Sequence, residues 1–145
     1  MFLYHYYDKN IGPFKNLSDL PIEEANKVLK EIAITNPNAY CAKRNVDYMQ
    51  ARIYYENILR NEFQRKGGLI CRQVPHYMVV EHSPWLSTWY DNSSYIKIPI
   101  EMFNIKTISF TYGGVKGSIT NIFILSPFCI IVGLCKWFFG TLWMW

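Results

Sequence analysis

Apolar positions along the chain change period more than once. Phe2 to Tyr7 is an unbroken aromatic and apolar run around His5, which predicts a first strand, and Asn10-Ile11-Gly12-Pro13 ends it as a turn. Ile22, Ala25, Val28, Leu29 and Ile32 then recur at helical spacing behind Pro21, Glu23 and Glu24, residues that suit the start of a helix. Asn36-Pro37-Asn38 stops that helix. A second is predicted from about Asn45, a plausible N-cap, to Lys66, with Gly67-Gly68 as its stop. Its buried face is read as Tyr48, Arg52, Tyr55, Leu59 and Phe63. Beyond the glycines, Leu69–Val74, Tyr77–Glu81, Tyr95–Ile100 and Thr107–Tyr112 are short β-branched or aromatic runs and read as strands. Ser83-Pro84 opens a helical turn that places Trp85 and Trp89 on one face. The expected fold is α+β, with two early helices and a small, mostly antiparallel sheet in residues 1–112.

The pattern then changes. Residues 113–118, Gly-Gly-Val-Lys-Gly-Ser, read as a linker, and from Ile119 to Cys135 there is no charge at all. A helix crossing a bilayer needs roughly 20 mainly apolar residues. Ile119 to about Phe139 meets that length, so residues 119–145 are expected as an apolar tail with a single C-terminal transmembrane helix. Lys136 would snorkel to the headgroups, while Trp137, Trp143 and Trp145 suit a membrane-interface belt. Lys106 and Lys116 precede the stretch and only Lys136 follows it, which favours a single-pass protein with a cytoplasmic N-terminal domain. The alternative keeps Ile119–Trp145 as one helix or two strands buried in a soluble, cytoplasmic domain.

At 145 residues the chain has room for one domain. Half the residues are hydrophobic, yet every acidic or basic side chain except Lys136 lies between Asp8 and Lys116, which sharpens the contrast between domain and tail. A net charge of +4 is too mild to imply nucleic acid by itself. Lys43, Arg44, Arg52, Arg60, Arg65, Lys66 and Arg72 do bias the middle of the chain, and Trp85, Trp89 and Tyr90 could stack on bases. Spacing argues for a solvated helix face instead: Arg52, Glu56 and Arg60 are four apart, as are Glu62 and Lys66. Nucleic acid is therefore not expected as a partner, and the lipid bilayer is. Cys41, Cys71, Cys129 and Cys135 form no CxxC pair and read as reduced thiols.

No metal site is expected. His76 and His82 would lie about 20 Å apart on an extended segment, too far for one ion, and Cys71 adds no ligand pattern. No Walker, dinucleotide or triad arrangement is present, so no cofactor is expected and an enzymatic role is not favoured.

Several stretches stand in an order that resembles a family of small, functionally uncharacterised proteins of Gram-positive bacteria. They are Leu3-Tyr4-His5-Tyr6, Lys15-Asn16-Leu17-Ser18-Asp19-Leu20-Pro21, Ala42-Lys43-Arg44, Lys66-Gly67-Gly68 and Ser109-Phe110-Thr111-Tyr112-Gly113. The resemblance covers about Phe2 to Gly113 and implies a charged, hydrophilic continuation. This chain departs from that pattern where its composition changes, which suggests a tail produced by frameshift or rearrangement. The opening Tyr4-His5-Tyr6 is also similar to the first strand of ADP-ribosyltransferase-like folds, where a His contacts the ribose of NAD. That resemblance implies His5 with a late carboxylate, Glu81 or Glu101, as weak catalytic candidates and NAD as cofactor under the alternative reading.

Overall fold

The structure, a computed structural model, describes residues 1–112 and 140–144. It is α+β, with three helices and one small antiparallel sheet. The helices are α1 (Ile22–Thr35), α2 (Tyr48–Arg65) and the short α3 (Pro84–Ser87), and the strands are β1 (Phe2–Asp8), β2 (His76–Val80), β3 (Ser93–Pro99), β4 (Ile108–Tyr112) and β5 (Gly140–Met144). The chain forms two compact units. One comprises Met1–Tyr4, Tyr55–His82 and Lys97–Trp145, the other His5–Tyr54 and Ser83–Ile96, so β1, α2 and β3 each run from one into the other.

The sheet has the order β3-β1-β2-β5-β4. β1 pairs with β2 through Leu3↔Val80 and Tyr4↔Val79. Just past the ends of β1, Lys9 N–H donates to Asn92 O (2.9 Å) and Ile100 N–H to Met1 O (3.1 Å), so β3 also runs antiparallel to it. Lys97 on the edge strand β3 lays its ammonium 3.9 Å over the Phe2 ring, and a lysine in that position discourages pairing with another chain. β5 is flanked on both sides: His76↔Met144 through Val79↔Thr141 on one, Ile108↔Met144 through Tyr112↔Gly140 on the other.

The sequence reading placed residues 140–144 beyond the domain, after a membrane span. Here they form an inner strand, which β-branched and bulky residues such as Thr141, Leu142 and Trp143 favour. The expected span, about Ile119 to Phe139, and the linker lie outside the described residues. Among the described residues no helix is long and apolar enough to cross a membrane.

In the first unit the apolar interior is Leu3, Leu59, Phe63, Met78 and Ile108, with Ile70 and Tyr77 packed against Leu59 and Phe63. Helix α2 ends as its two glycines foretold. Gly67 has φ +87°, its N–H donates to Gln64 O, and Gly68 N–H reaches back to Phe63 O, each at 2.9 Å. That is the paired bonding of a Schellman stop, which needs a residue comfortable in the left-handed region.

Two expectations require correction. Leu69–Val74 is not a strand, because arginine side chains engage its backbone: Arg72 Nε donates to Val74 O (2.5 Å) and Arg60 Nη1 to Gln73 O (3.2 Å). The inner face of α2 is also rotated from the sequence reading. Met49, Glu56, Leu59 and Phe63 are buried, so Glu56 is a core residue and not part of a solvated ion-pair series. Its Oε1 accepts the Tyr77 hydroxyl, which is what allows a carboxylate to sit 5 % exposed. The exposed ion pair is Arg65 with Glu62, at 2.7 Å.

A Cβ on Gly68 would stand 2.5–2.6 Å from the Phe63 ring, whereas one on Gly67 would meet nothing within 4 Å. Gly67→Ala should therefore cost only the left-handed backbone, about 1 kcal/mol. Gly68→Ala must displace a core aromatic and should cost about 1–3 kcal/mol. Urea unfolding of the two variants checks the order, and equal midpoints would refute the Phe63 contact.

Candidate functional site

The sequence nominated His5, Glu81 and Glu101, and the structure gives each a local structural task. His5 is 8 % exposed on β1, in the second unit. Its Nε2 accepts the Phe14 amide at 2.9 Å, which puts the ring proton on Nδ1, and the ring stacks on Phe14 with centroids 4.6 Å apart. Phe14 has φ +58°, a left-handed conformation that costs a residue with a side chain about 1 kcal/mol or more. The histidine thus holds a strained turn after β1.

Glu81 and Glu101 belong to the first unit. Glu81, at φ +59°, donates its N–H to Phe2 O (2.9 Å) and accepts Phe2 N–H on Oε1 (3.0 Å), closing the end of the β1–β2 pair. Glu101 Oε1 lies 3.9 Å from the terminal ammonium of Met1. Nothing in these contacts assembles the three into one constellation.

The other nominated histidines are likewise engaged. Arg72 Nη1 approaches His76 Nε2 at 2.8 Å, and a guanidinium can only donate, so Nε2 is the acceptor in that contact. His82 packs edge-on against Tyr4 with centroids 5.6 Å apart. Among the described residues no group of three or more His, Cys, Asp or Glu could hold a metal ion.

A more concentrated arrangement lies in the second unit, around the 3₁₀ turn Tyr40–Lys43 that follows α1. The turn is pinned from its N-terminal side. Asn36 accepts Ala39 N–H (3.2 Å) on its side-chain oxygen and donates its amide to Asp91. Tyr40 then stacks face to face on Trp89, with centroids 4.1 Å apart and planes 14° apart. Trp85 meets both edge-on, at 6.3 and 4.8 Å. Sequence spacing put the two tryptophans on one face, and they do touch. Trp85 is nevertheless 43 % exposed, so it walls a surface instead of filling a core. The Trp89 indole Nε1 is buried with no acceptor among the described residues.

Arg44 completes the group. Its guanidinium carbon lies 4.9 Å from the Tyr40 centroid and 4.4 Å from that of Tyr48, so two rings hold it by cation–π attraction. Arg52 is arranged differently, donating to Asn16 Oδ1 (2.6 Å) and to the Tyr48 hydroxyl (3.4 Å). Periodicity along α2 could not reveal the Arg52–Asn16 contact, because Asn16 lies 36 positions away, and Arg44, with Tyr40 and Tyr48 four residues to either side, precedes that helix.

The half-buried Tyr90 phenol lies beside this group and its pKa is pushed up. Loss of solvation is the first cause, followed by the nearby Cys41 thiol; Arg52 pulls the other way, and Asp8 and Tyr48 add to the rise. Cys41 is half-buried and free. The unit's one histidine is His5, whose Nε2 is already taken, so Cys41 has no imidazole base at hand. Aromatic rings and a guanidinium are thus gathered around one turn of this unit.

No family model matches the chain, and no curated protein or solved structure matches it either.

Tyr90 gives a pH signature. Its folded pKa stands above the ordinary 10.0 of an unfolded phenol, so folding favours the protonated form. That contribution is fully present below pH 10, and it is lost as pH rises from 10 through the folded pKa. Tyr90→Phe should flatten the wild-type loss of stability in that alkaline window and leave the neutral range unaffected by titration. Denaturant midpoints at stepped pH check it, and parallel curves for both proteins would contradict it.

Proposed function

We propose that the chain is a non-catalytic, bilayer-associated binding module whose apolar stretch enters and leaves the lipid from one side. The carrying observation is the β4–β5 register around a charge-free sequence. Tyr112 and Gly140 are paired, so both ends of residues 113–139 stand at the same end of one sheet. A single crossing would part those ends by about 30 Å, whereas partners in a ladder lie about 5 Å apart. Two crossings need roughly 40 apolar residues, more than the connection contains. A stretch that dips into the near leaflet satisfies both the pairing and the composition. Lys116 and Lys136 bracket the uncharged run, and lysines in that position favour anionic headgroups on one face.

The NAD-using alternative has less support. Its histidine spends Nε2 on the Phe14 amide, and its candidate carboxylates serve the Phe2 amide and the Met1 ammonium. The resemblance to uncharacterised Gram-positive proteins is compatible with a binding role and names no reaction.

Full-length protein added to preformed vesicles, with an epitope tag at each end, tests the proposal. Both tags should be removed by external protease while the protein floats with the vesicles. One protected tag would restore the single-pass arrangement. A protein that fails to float with vesicles of any lipid charge would refute bilayer association.

A further inference from the structure

Between α1 and the Tyr40–Lys43 turn, the second unit forms a half-open cleft of about 270 Å³. Lys30 and Arg44 contribute the charges that line it, Asn26 and Asn45 contribute amides, and Cys41 contributes a thiol. No carboxylate is among its lining residues. We infer that this cleft binds the phosphoryl group of a small phosphomonoester, with Arg44 as the principal ligand and Lys30 as its partner charge. The inference is independent of how residues 113–139 meet a bilayer.

The state of Arg44 carries the argument. A surface arginine usually satisfies its charge with a carboxylate or a carbonyl. Arg44 is half-buried and is held by the faces of Tyr40 and Tyr48, and among the described residues its N–H groups have no protein acceptor. Cation–π contacts with two rings restrain the guanidinium without consuming its N–H donors, which stay unspent among the described residues. Two such parallel N–H bonds match a phosphate edge, and the charge-assisted bonds they make are about twice as strong as neutral ones.

Lys30 is exposed on α1 and has no salt-bridge partner among the described residues. A fork and a point charge lining one cleft can share the oxygens of one tetrahedral dianion. A carboxylate would use only the fork. The two amides add neutral donors, and the lack of a carboxylate removes the repulsion that would oppose a dianion. Leu29 supplies an apolar wall for the body that carries the phosphate. With each water occupying about 30 Å³, the cleft has room for a phosphoryl group and a few carbon atoms, and its open side leaves the rest of the molecule in solvent.

Cys41 supplies the readout. Full-length protein is alkylated with iodoacetamide and the modified peptides are mapped. The ligand arms are inorganic phosphate, glycerol 3-phosphate and phosphatidylcholine vesicles carrying phosphatidic acid, each against chloride at equal ionic strength. Phosphoryl ligands should slow alkylation of Cys41 and leave the exposed Cys71 unchanged. Protection by glycerol 3-phosphate marks a soluble ligand, and protection by the phosphatidic acid vesicles alone marks a lipid headgroup; either supports the inference. Arg44→Gln should weaken protection about tenfold, the loss expected for one charge-assisted pair. Lys30→Gln, at an exposed position that the fold does not need, should weaken it in the same direction. Protection equal to that of chloride in every arm, or protection unchanged in both variants, would overturn it.

Discussion

A strand drawn from the end of a chain and placed between two earlier strands makes the rest of the sheet conditional on it. β5 bonds to β2 on one side and β4 on the other, so without it β2 would expose an unpaired edge and β4 would have no neighbour. An unpaired edge in a small sheet is both a lost ladder and a template for aggregation. The same pairing constrains sequence that is chemically unlike the domain. Tyr112 and Gly140, the residues that flank 113–139, are partners at one end of that sheet.

The second unit solves a different problem, which is how to keep a charged group ready without neutralising it. Arg52 is satisfied in the ordinary way by Asn16 and Tyr48. Arg44, a neighbour in sequence terms, is instead set against aromatic faces. The Tyr40–Trp89 stack fixes one of those faces, and the Asn36 contacts fix the turn that bears it. A guanidinium without its own acceptor costs stability unless solvent or a ligand supplies one.

Much of the fold was legible in the residues. Apolar spacing located α1 and α2 to within a few residues, and the double glycine marked the helix stop that Gly67 and Gly68 form. Period alone misread two places where side chains intervened. Arg72 and Arg60 capture the backbone of residues 73 and 74, which removes a strand that β-propensity had suggested. Glu56 looked like a surface charge because its partner, Tyr77, lies 21 positions away. The site was the least legible part. His5 stood out by its aromatic neighbours, yet its role is to brace the Phe14 turn. Arg44 looked like one of many basic residues, because its rings, Tyr40 and Tyr48, stand four residues to either side in a turn and a helix, and no single period runs through both.

The place of β5 is the claim on which the arrangement of the whole C-terminal third turns. Amide hydrogen exchange of the full-length protein, followed by mass spectrometry, addresses it directly. If Gly140–Met144 is an inner strand, its amides should exchange as slowly as those of His76–Val80, and both should open together in mild denaturant. Should Gly140–Met144 exchange within seconds while β2 stays protected, the strand is not in the sheet and the ends of residues 113–139 are free to part.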